Sequence, residues 1–282
     1  MKYVLVTPVR NGEATIEKTI ASVLAQTIQP QCWVIVSDGS EDKTDEIIKR
    51  YVQKNSIIRF RRVEHDITMG FAGKVRAINT GLLELKKFEY NFIGNLDADI
   101  SFECDYFHRI LNHFNSDRNL GIAGGHICEF YNQRYTPQAI SSNSVAGAVQ
   151  LFRRDCFEQI GGYLPLSTGG IDSAAEILAR SKGWKVKTIF DLQVIHHGPV
   201  LTGSLSPTAR LFMQGNNNYR LGYHPLFQLA SSLKRIKSKP LLIGALAYLA
   251  GYFMFVIKKA PKVLPEDAIT FLRNEQLRRL IG

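Results

Sequence analysis

The first hundred residues alternate between short apolar runs and segments with helical periodicity. The apolar run YVLVT at 3–7 predicts a strand that is covered on both faces. Apolar residues then recur at i, i+4, i+7 and i+8 from Ile16 to Leu24, which predicts a buried helix face. Further strands are predicted at 33–38, 57–63 and 90–97, with helices at 42–52 and 72–86. This order predicts an α/β fold with an open, mostly parallel sheet flanked by helices.

The pattern changes after about residue 121. Short strands are predicted within 121–130 and 145–157, and a helix within 169–184 after a double glycine. The segment 185–199 then predicts a strand followed by a loop. We therefore expect two domains, a sheet domain over 1–205 and a helical C-terminal region over 206–282.

The C-terminal region contains an uncharged segment at 240–257. At ~1.5 Å per residue its 18 residues would extend over about 27 Å, slightly less than a ~30 Å hydrocarbon core. The segment could span a membrane, lie at its surface or pack as a buried helix, and Gly244 and Gly251 could let another helix approach closely. Basic clusters at 232–239, 258–262 and 273–280 favour association with an anionic membrane surface, on the cytoplasmic face.

The net charge of +10 also suggests a nucleic-acid partner. No helix-turn-helix, zinc-finger or RNA-binding aromatic motif accompanies the charge, so we expect a membrane surface and no nucleic acid. The chain opens directly on a strand-like run, which predicts no signal peptide. Its four scattered cysteines predict reduced thiols in a cytoplasmic protein and neither a zinc site nor a disulfide framework.

Polar residues follow three of the predicted strands. The first strand leads into TPVRNGE at 7–13, the second ends at Asp38, and the fourth leads into Asp97 and Asp99. Ligands of open α/β sheets bind at the carboxyl ends of strands, so these residues predict one shared site. Two closely spaced carboxylates suit Mg²⁺ or Mn²⁺ that is shared with substrate phosphates. The alternative is that these aspartates only stabilise turns.

Several motifs occur in an order that resembles a family 2 glycosyltransferase with the GT-A fold. The N-terminal motifs are VTPVRNGEATIEKTIASVLAQT, VIVSDGSEDKTDEII, GKVRAINTGL and NLDAD. They are followed by VAGAVQLFRRDCFEQIGGY, GGIDSAAEILARSKGWKV and VIHHGP. The resemblance covers about residues 3–200, and the occurrence of several motifs in the family's order makes it far more specific than any one of them.

The resemblance implies a role for each matching residue. Asp38 would hold the nucleobase or ribose, and Asp172 would be the base that deprotonates the acceptor hydroxyl. His196, or its neighbour His197, would complete the site for a divalent cation, Mn²⁺ or Mg²⁺. Apart from the resemblance, a leaving diphosphate needs positive charge, which Lys74 or Arg76 could help to supply, although both could instead form a solvated helix face. The remaining implied residues are Pro8, Val9, Asn11 and Glu13 in the nucleotide pocket and Asp97 and Asp99 as the metal and diphosphate motif.

Two positions depart from the family pattern. Arg10 stands where an aromatic residue is common, so the nucleotide could be held differently. Ile171 replaces the acidic residue that often precedes the catalytic aspartate, which leaves Asp172 as the candidate base. Asp172 could instead cap the next helix, but Ser173 and Glu176 already predict a capping box there. Glu176 could also touch the acceptor.

These assignments predict an inverting glycosyltransferase that uses a nucleotide-sugar donor, a UDP-sugar by resemblance. The acceptor would be a lipid-linked molecule or a glycan, bound by loops such as the one at 131–143. One alternative is a sugar-phosphate nucleotidyltransferase, although TPVRNGE lacks the glycine-rich loop that such an enzyme requires. The other is a membrane-anchored protein that binds a sugar nucleotide without catalysis, although Asp97, Asp99 and Asp172 are all present.

Overall fold

The computed structural model describes residues 1–131, 134–198, 206–237 and 239–281. The chain forms two compact units, which we call the sheet unit and the helical unit. The sheet unit comprises 1–167 and 171–198. The helical unit comprises 168–170 and the described residues from 206 onward. The domain boundary expected at 205/206 adjoins residues 199–205, which lie outside the described residues.

Within the described residues, the sheet unit contains nine strands, six α-helices and one short 3-10 helix, Ile67–Met69. The strands are β1 (Tyr3–Val9), β2 (Cys32–Asp38), β3 (Ile58–Val63), β4 (Phe92–Leu96), β5 (Ile100–Phe102), β6 (Leu120–Tyr131), β7 (Arg134–Pro137), β8 (Val149–Arg153) and β9 (Lys185–His196). The helices are α1 (Ile16–Leu24), α2 (Thr44–Val52), α3 (Ala72–Leu85), α4 (Tyr106–Ser116), α5 (Arg154–Gln159) and α6 (Ile171–Ser181).

All nine strands belong to one sheet, in the order β3-β2-β1-β4-β8-β6-β9-β5, with β7 paired to β6. The strands from β3 to β4 are parallel, as is the β6–β9 pair. β8 runs antiparallel to both β4 and β6, and β5 runs antiparallel to β9. The predicted α/β sheet flanked by helices is confirmed, but the sheet is mixed, and the expected parallel order holds for its N-terminal half.

The core lies on both faces of the central strands. Val4, Leu5 and Val6 of β1 are all buried, because helices cover each face of the sheet. Aromatic side chains of α4 pack on the first strands; the rings of Tyr3 and Phe107 stack with their centroids 4.5 Å apart. The parallel pairing of β1 with β2 and β4 holds these strands side by side and so positions the loops at their carboxyl ends. The four cysteines are free thiols.

The helical unit contains four helices, α7 (Pro207–Arg220), α8 (Pro225–Arg235), α9 (Ile243–Ile257) and α10 (Glu266–Ile281). α7 and α9 cross through reciprocal glycines. A side-chain carbon at Gly251 of α9 would overlap the carbonyl oxygen of Phe212, and one at Gly215 of α7 would overlap that of Tyr248. The close helix approach predicted at Gly251 is therefore confirmed.

The uncharged segment forms one helix of moderate length. α9 has 15 residues, about 22 Å at ~1.5 Å per residue. Among the described residues, no helix combines the length and the apolar character that a membrane span requires. One face of α9 is buried against α7, whereas Leu246, Met254 and Ile257 are exposed. The buried-helix interpretation is thus correct for one face of this segment.

Candidate active site

The candidate site lies at the carboxyl ends of three neighbouring parallel strands. β2, β1 and β4 are adjacent in the sheet, and their register brings their last residues to the same edge. The turn after Val9 follows β1, Asp38 ends β2, and Asp97 comes directly after β4. The structure therefore brings together the three segments that the sequence singled out.

Asp38 is the centre of a cluster with three basic side chains. Its Oδ2 lies 3.0 Å from Nδ1 of His65, and its Oδ1 accepts a hydrogen bond of 3.1 Å from Nη2 of Arg76. The guanidinium of Arg10 in turn contacts Nε2 of His65. Gly39 has a φ of +63°, and a side-chain carbon there would collide with the backbone nitrogen of His65. His65 thus links the strand-end carboxylate to the cation that departs from the family pattern.

The turn after β1 is tied to the loop after β2. The Asn11 side chain accepts a 2.9 Å hydrogen bond from the backbone N–H of Glu41. The Glu13 side chain accepts one of 3.0 Å from the backbone N–H of Lys43. Asn11 adopts a φ of +49°, a conformation that asparagine tolerates better than most residues. Both predicted pocket residues therefore hold the two loops together.

The two remaining predicted pocket residues differ in exposure. Pro8 is half-buried, whereas the side chain of Val9 belongs to the buried core. Val9 can therefore contribute to a pocket only through its backbone.

Lys74 lies among the acidic residues of the site. Its Nζ is 2.5 Å from Oδ1 of Asp97. Burial raises the pKa of Asp97, more than Lys74 lowers it. Burial also lowers the pKa of Lys74, but the carboxylates of Asp97, Asp172 and Asp99 outweigh this effect and raise it. Neither Lys74 nor Arg76 belongs to a solvated helix face, because each is paired with a buried or partly buried carboxylate.

Asp99 contacts the first of the two consecutive histidines. Its Oδ2 lies 3.3 Å from Nε2 of His196, and the hydrogen bond that it accepts from this ring raises the pKa of that histidine. The ring of His197 instead contacts the hydroxyl of Ser101, with 2.7 Å between Nε2 and Oγ. The geometry thus singles out His196 as the histidine beside the aspartate pair. The other oxygen of Asp99, Oδ1, is buried and lacks a hydrogen-bond partner in the described structure.

Asp172 lies in the first turn of α6. Its side chain packs against the backbone of Gly147, where an added side-chain carbon would be 2.9 Å from Oδ2. The carboxylate is close enough to raise the pKa of Lys74, as noted above. Lys74 is therefore the cation common to the strand-end aspartates and to the predicted base.

Glu176, one turn after Asp172, is buried behind it. Its carboxylate accepts hydrogen bonds from the backbone N–H of Val145 at 2.6 Å and from the hydroxyl of Ser144 at 2.8 Å. Burial raises the pKa of Glu176 to about 7. These bonds fasten the segment that leads to Gly147, so Glu176 positions the backbone against which Asp172 packs.

The predicted capping box before α6 is wrong. The helix begins at Ile171, so Ser173 is its third residue and cannot be the N-cap. Asp172 is likewise inside the helix. Because the carboxylate of Glu176 bonds to residues 144 and 145, it is unavailable for a cap.

The sequence did not single out His65, and it indicated other roles for Glu176 than the one found. His65 follows β3, the strand next to β2, so the strand-end argument used for Asp38 would have identified it. Glu176 carried no comparable signal, because its partners in 144–150 are distant in sequence. The predicted acceptor loop at 131–143 includes residues 132 and 133, which lie outside the described residues.

Comparison with known proteins assigns the family. The family model of Glycosyl transferase family 2 matches residues 4–171. This match covers more than half of the chain, and the chain belongs to that family, in the transferase class of enzymes. The predicted resemblance is therefore confirmed.

The curated relatives are polysaccharide synthases. The chain is 25% identical over 221 residues to a poly-beta-1,6-N-acetyl-D-glucosamine synthase of Staphylococcus aureus (strain COL), covering 77% of the chain and 46% of the synthase. It is also 25% identical over 216 residues to the synthase of the same name from Staphylococcus epidermidis, covering 70% of the chain and 48% of that protein. The chain thus spans about half the length of these relatives.

Solved glycosyltransferases share the fold. GalNAc-T7 with UDP, GalNAc and Mn²⁺ superposes with a TM-score of 0.62 at 15% identity, covering 99% of this chain and 57% of that chain. The mannosyltransferase PcManGT from Pyrobaculum calidifontis, in complex with GDP-Man and Mn²⁺, gives 0.57 at 18% identity, with coverages of 99% and 80%. TarS from S. aureus in complex with UDP-GlcNAc gives 0.57 at 15%, with coverages of 91% and 73%. These similarities confirm the GT-A fold.

Proposed function

We propose that the protein is an inverting glycosyltransferase that moves a sugar from a nucleoside diphosphate to a hydroxyl of a glycan or lipid-linked acceptor. The observation that carries this proposal is the position of Lys74 among Asp97, Asp99 and Asp172. A transfer of this kind needs one charged group for the leaving diphosphate and another for the acceptor proton. Lys74 itself suits the leaving diphosphate, and the nearby carboxylate of Asp172 suits the acceptor proton.

The nucleoside would bind beside Asp38. A carboxylate held by His65 and Arg76 retains free lone pairs that can accept hydrogen bonds from a base N–H or ribose hydroxyls. A UDP-sugar is the first donor to test, and N-acetylglucosamine is the first sugar, because the curated relatives carry that sugar in their names. Pro8 and the backbone of Val9 would line the same pocket.

A divalent cation, Mn²⁺ or Mg²⁺, would bind next to Asp99. The unpartnered Oδ1 of Asp99 and the nearby His196 suit such an ion, as does the hard oxygen character of Asp97. Within the described residues, no three or more acidic, histidine or cysteine side chains form a preformed cage. The donor's phosphates would therefore supply the other ligands. When bound, the ion would neutralise negative charge that develops on the leaving diphosphate.

Asp172 would accept the proton of the acceptor hydroxyl while the oxygen of that hydroxyl attacks the anomeric carbon. Glu176 keeps the segment behind Asp172 in place, and Lys74 stabilises the ionised carboxylates nearby. Attack opposite to the departing diphosphate inverts the anomeric centre. Arg10 and His65 would act on the nucleoside side of the site, because His65 contacts both Arg10 and Asp38.

We also propose that the helical unit associates with the cytoplasmic face of a membrane. Its basic clusters flank exposed apolar side chains, the combination that favours anionic lipid surfaces. A membrane would retain a lipid-linked or polymeric acceptor near the enzyme.

The test is donor turnover by the full chain with UDP-GlcNAc and other nucleotide sugars, with and without Mn²⁺. Asp172→Asn should lower turnover by about 10² to 10⁴-fold and leave the thermal shift on UDP and Mn²⁺ unchanged. Asp191→Asn, at an exposed carboxylate, is the control and should keep full activity. The product should have the anomeric configuration opposite to that of the donor. A wild-type protein that binds UDP but turns over no donor would support the alternative of a non-catalytic binder.

A further inference from the structure

The surface of the helical unit formed by α8 and the start of α9 is apolar. The exposed side chains include Leu233 at 67% and Ile243 at 64% exposure. On α8 they recur at i, i+3, i+7 and i+10, so they share one helix face. We call this the α8–α9 surface; it comprises Leu226, Leu229, Leu233, Ile236, Leu241, Leu242, Ile243 and Leu246.

The interior face of α8 is polar, the reverse of an ordinary helix in water. Gln228 is fully buried; it accepts a hydrogen bond from Asn218 at 3.0 Å and donates one to the carbonyl of Tyr248 at 3.1 Å. Ser232 is buried as well and bonds to the carbonyl of Gln228. A helix with its polar groups satisfied inside and its leucines outside suits a hydrocarbon environment better than water.

A cationic cavity of about 270 Å³ opens beside this surface. Arg210, Arg235 and Lys239 line it together with Leu211, Pro240 and Gly244. The guanidinium of Arg235 is held over the ring of Tyr248, 4.8 Å from its centroid. Three cationic side chains around one cavity suit a phosphate group.

The charge of this part of the chain has the same sign throughout. No Asp or Glu occurs between Asp191 and Glu266, whereas nine Lys and Arg residues do. The cavity therefore has no acidic group in its own segment to neutralise it. An anionic lipid surface supplies negative charge for the cavity and a hydrocarbon environment for the exposed apolar side chains.

We infer that the α8–α9 surface inserts shallowly into an anionic bilayer and that the cavity binds the phosphate of a lipid headgroup. This inference rests on the membrane association proposed above and is independent of the transferase chemistry. It assigns the contact to the α8–α9 surface as defined above and not to the apolar helix α9 as a whole, because α9 buries one face against α7.

The experiment measures binding of the full chain to lipid vesicles by co-sedimentation. The vesicles are neutral phosphatidylcholine, with or without about 30% phosphatidylglycerol, at physiological salt. The double variant Arg210→Gln/Lys239→Gln removes two cavity cations. Lys258→Gln/Lys259→Gln removes the same charge from exposed positions outside the cavity and is the matched control. Circular dichroism checks that both variants remain folded.

We expect wild type to bind the anionic vesicles, the cavity variant to bind at least about tenfold more weakly, and the control to lose less than about threefold. Leu233→Gln/Ile243→Gln should abolish insertion while the protein stays monodisperse. Equal losses in the cavity and control variants would overturn the phosphate site but leave membrane association intact. Absence of binding to any vesicle would overturn both the phosphate site and the membrane association. Donor turnover would still test the transferase proposal separately. If Leu233→Gln/Ile243→Gln only dissociates a dimer, a second copy covers the surface and the inference is wrong.

Discussion

At the scale of single residues, His65 is the most informative addition to the site. It contacts Asp38 through one ring nitrogen and Arg10 through the other. If Asp38 binds the nucleoside, the loss of His65 should leave this carboxylate poorly oriented without affecting the chemistry at Lys74. A substitution of His65 should therefore change donor binding without changing the chemical step.

We expect His65→Ala to raise the KM for the donor about tenfold, equivalent to about 1.4 kcal/mol, with little change in kcat. Steady-state kinetics over a range of donor concentrations measures the two parameters. His108→Ala, at an exposed position on α4, is the control and should change neither. An equal fall in kcat would place His65 in the chemical step and contradict our assignment.

Glu176 predicts a pH dependence of stability. Its pKa is raised by burial from an ordinary value of 4.5 to about 7, so the folded protein binds a proton more tightly than the unfolded chain. The free energy of unfolding should therefore fall as the pH rises from about 4.5 to 7, by on the order of 2–3 kcal/mol at most.

Glu176→Gln should flatten this dependence, because the amide can still accept from Val145 and can donate to the hydroxyl of Ser144. Urea unfolding at several pH values gives the free energy directly. Glu158→Gln, at an exposed glutamate of α5, should retain the wild-type slope. A wild-type slope in Glu176→Gln would mean that another group causes the dependence.

At the scale of elements, the sequence pattern predicted β1 to β4 and α1 to α3 well, because β1, β2, β4 and one face of each helix bury apolar residues, whereas in β3 only Ile58 is buried. α4 was not predicted, although Phe107, Ile110, Leu111 and Phe114 have the spacing of one buried helix face. The antiparallel position of β8 between β4 and β6 could not be predicted, because strand pairing across 50 residues has no local signal. The site follows the same rule. The strand ends indicated Asp38 and Asp97, whereas the bonds of Glu176 depended on distant packing.

The crossing of α7 and α9 gives a prediction for one helix pair. Gly251→Ala would place a carbon onto the carbonyl of Phe212, so the helices must separate. We expect the helical unit to lose about 1–3 kcal/mol of stability, measured by thermal and urea unfolding. Ala250→Leu adds more atoms at the exposed neighbouring position and should change stability by less than about 0.5 kcal/mol. Similar losses in both variants would mean that the crossing tolerates wider spacing.

At the scale of the whole molecule, charge and chemistry are divided along the chain. Of 35 Lys and Arg residues, 12 follow residue 198, whereas only three of the 25 Asp and Glu residues do. The last 84 residues therefore carry +9 of the net charge of +10. The first 198 residues are nearly neutral and contain every acidic residue of the candidate active site. This division suggests that nucleotide and membrane bind to different units.

Hydrogen exchange of the full chain can test this division. UDP with Mn²⁺ should slow exchange in peptides covering 8–13, 36–42 and 94–101, where the strand ends meet, and leave those covering 226–246 unchanged. Anionic vesicles should do the opposite, because their contacts are with the α8–α9 surface. Arg210→Gln/Lys239→Gln should lose protection by vesicles but keep protection by UDP. Protection of the strand ends by vesicles in the absence of nucleotide would contradict two independent sites, since it would require the lipid to bind or reorganise the sheet unit.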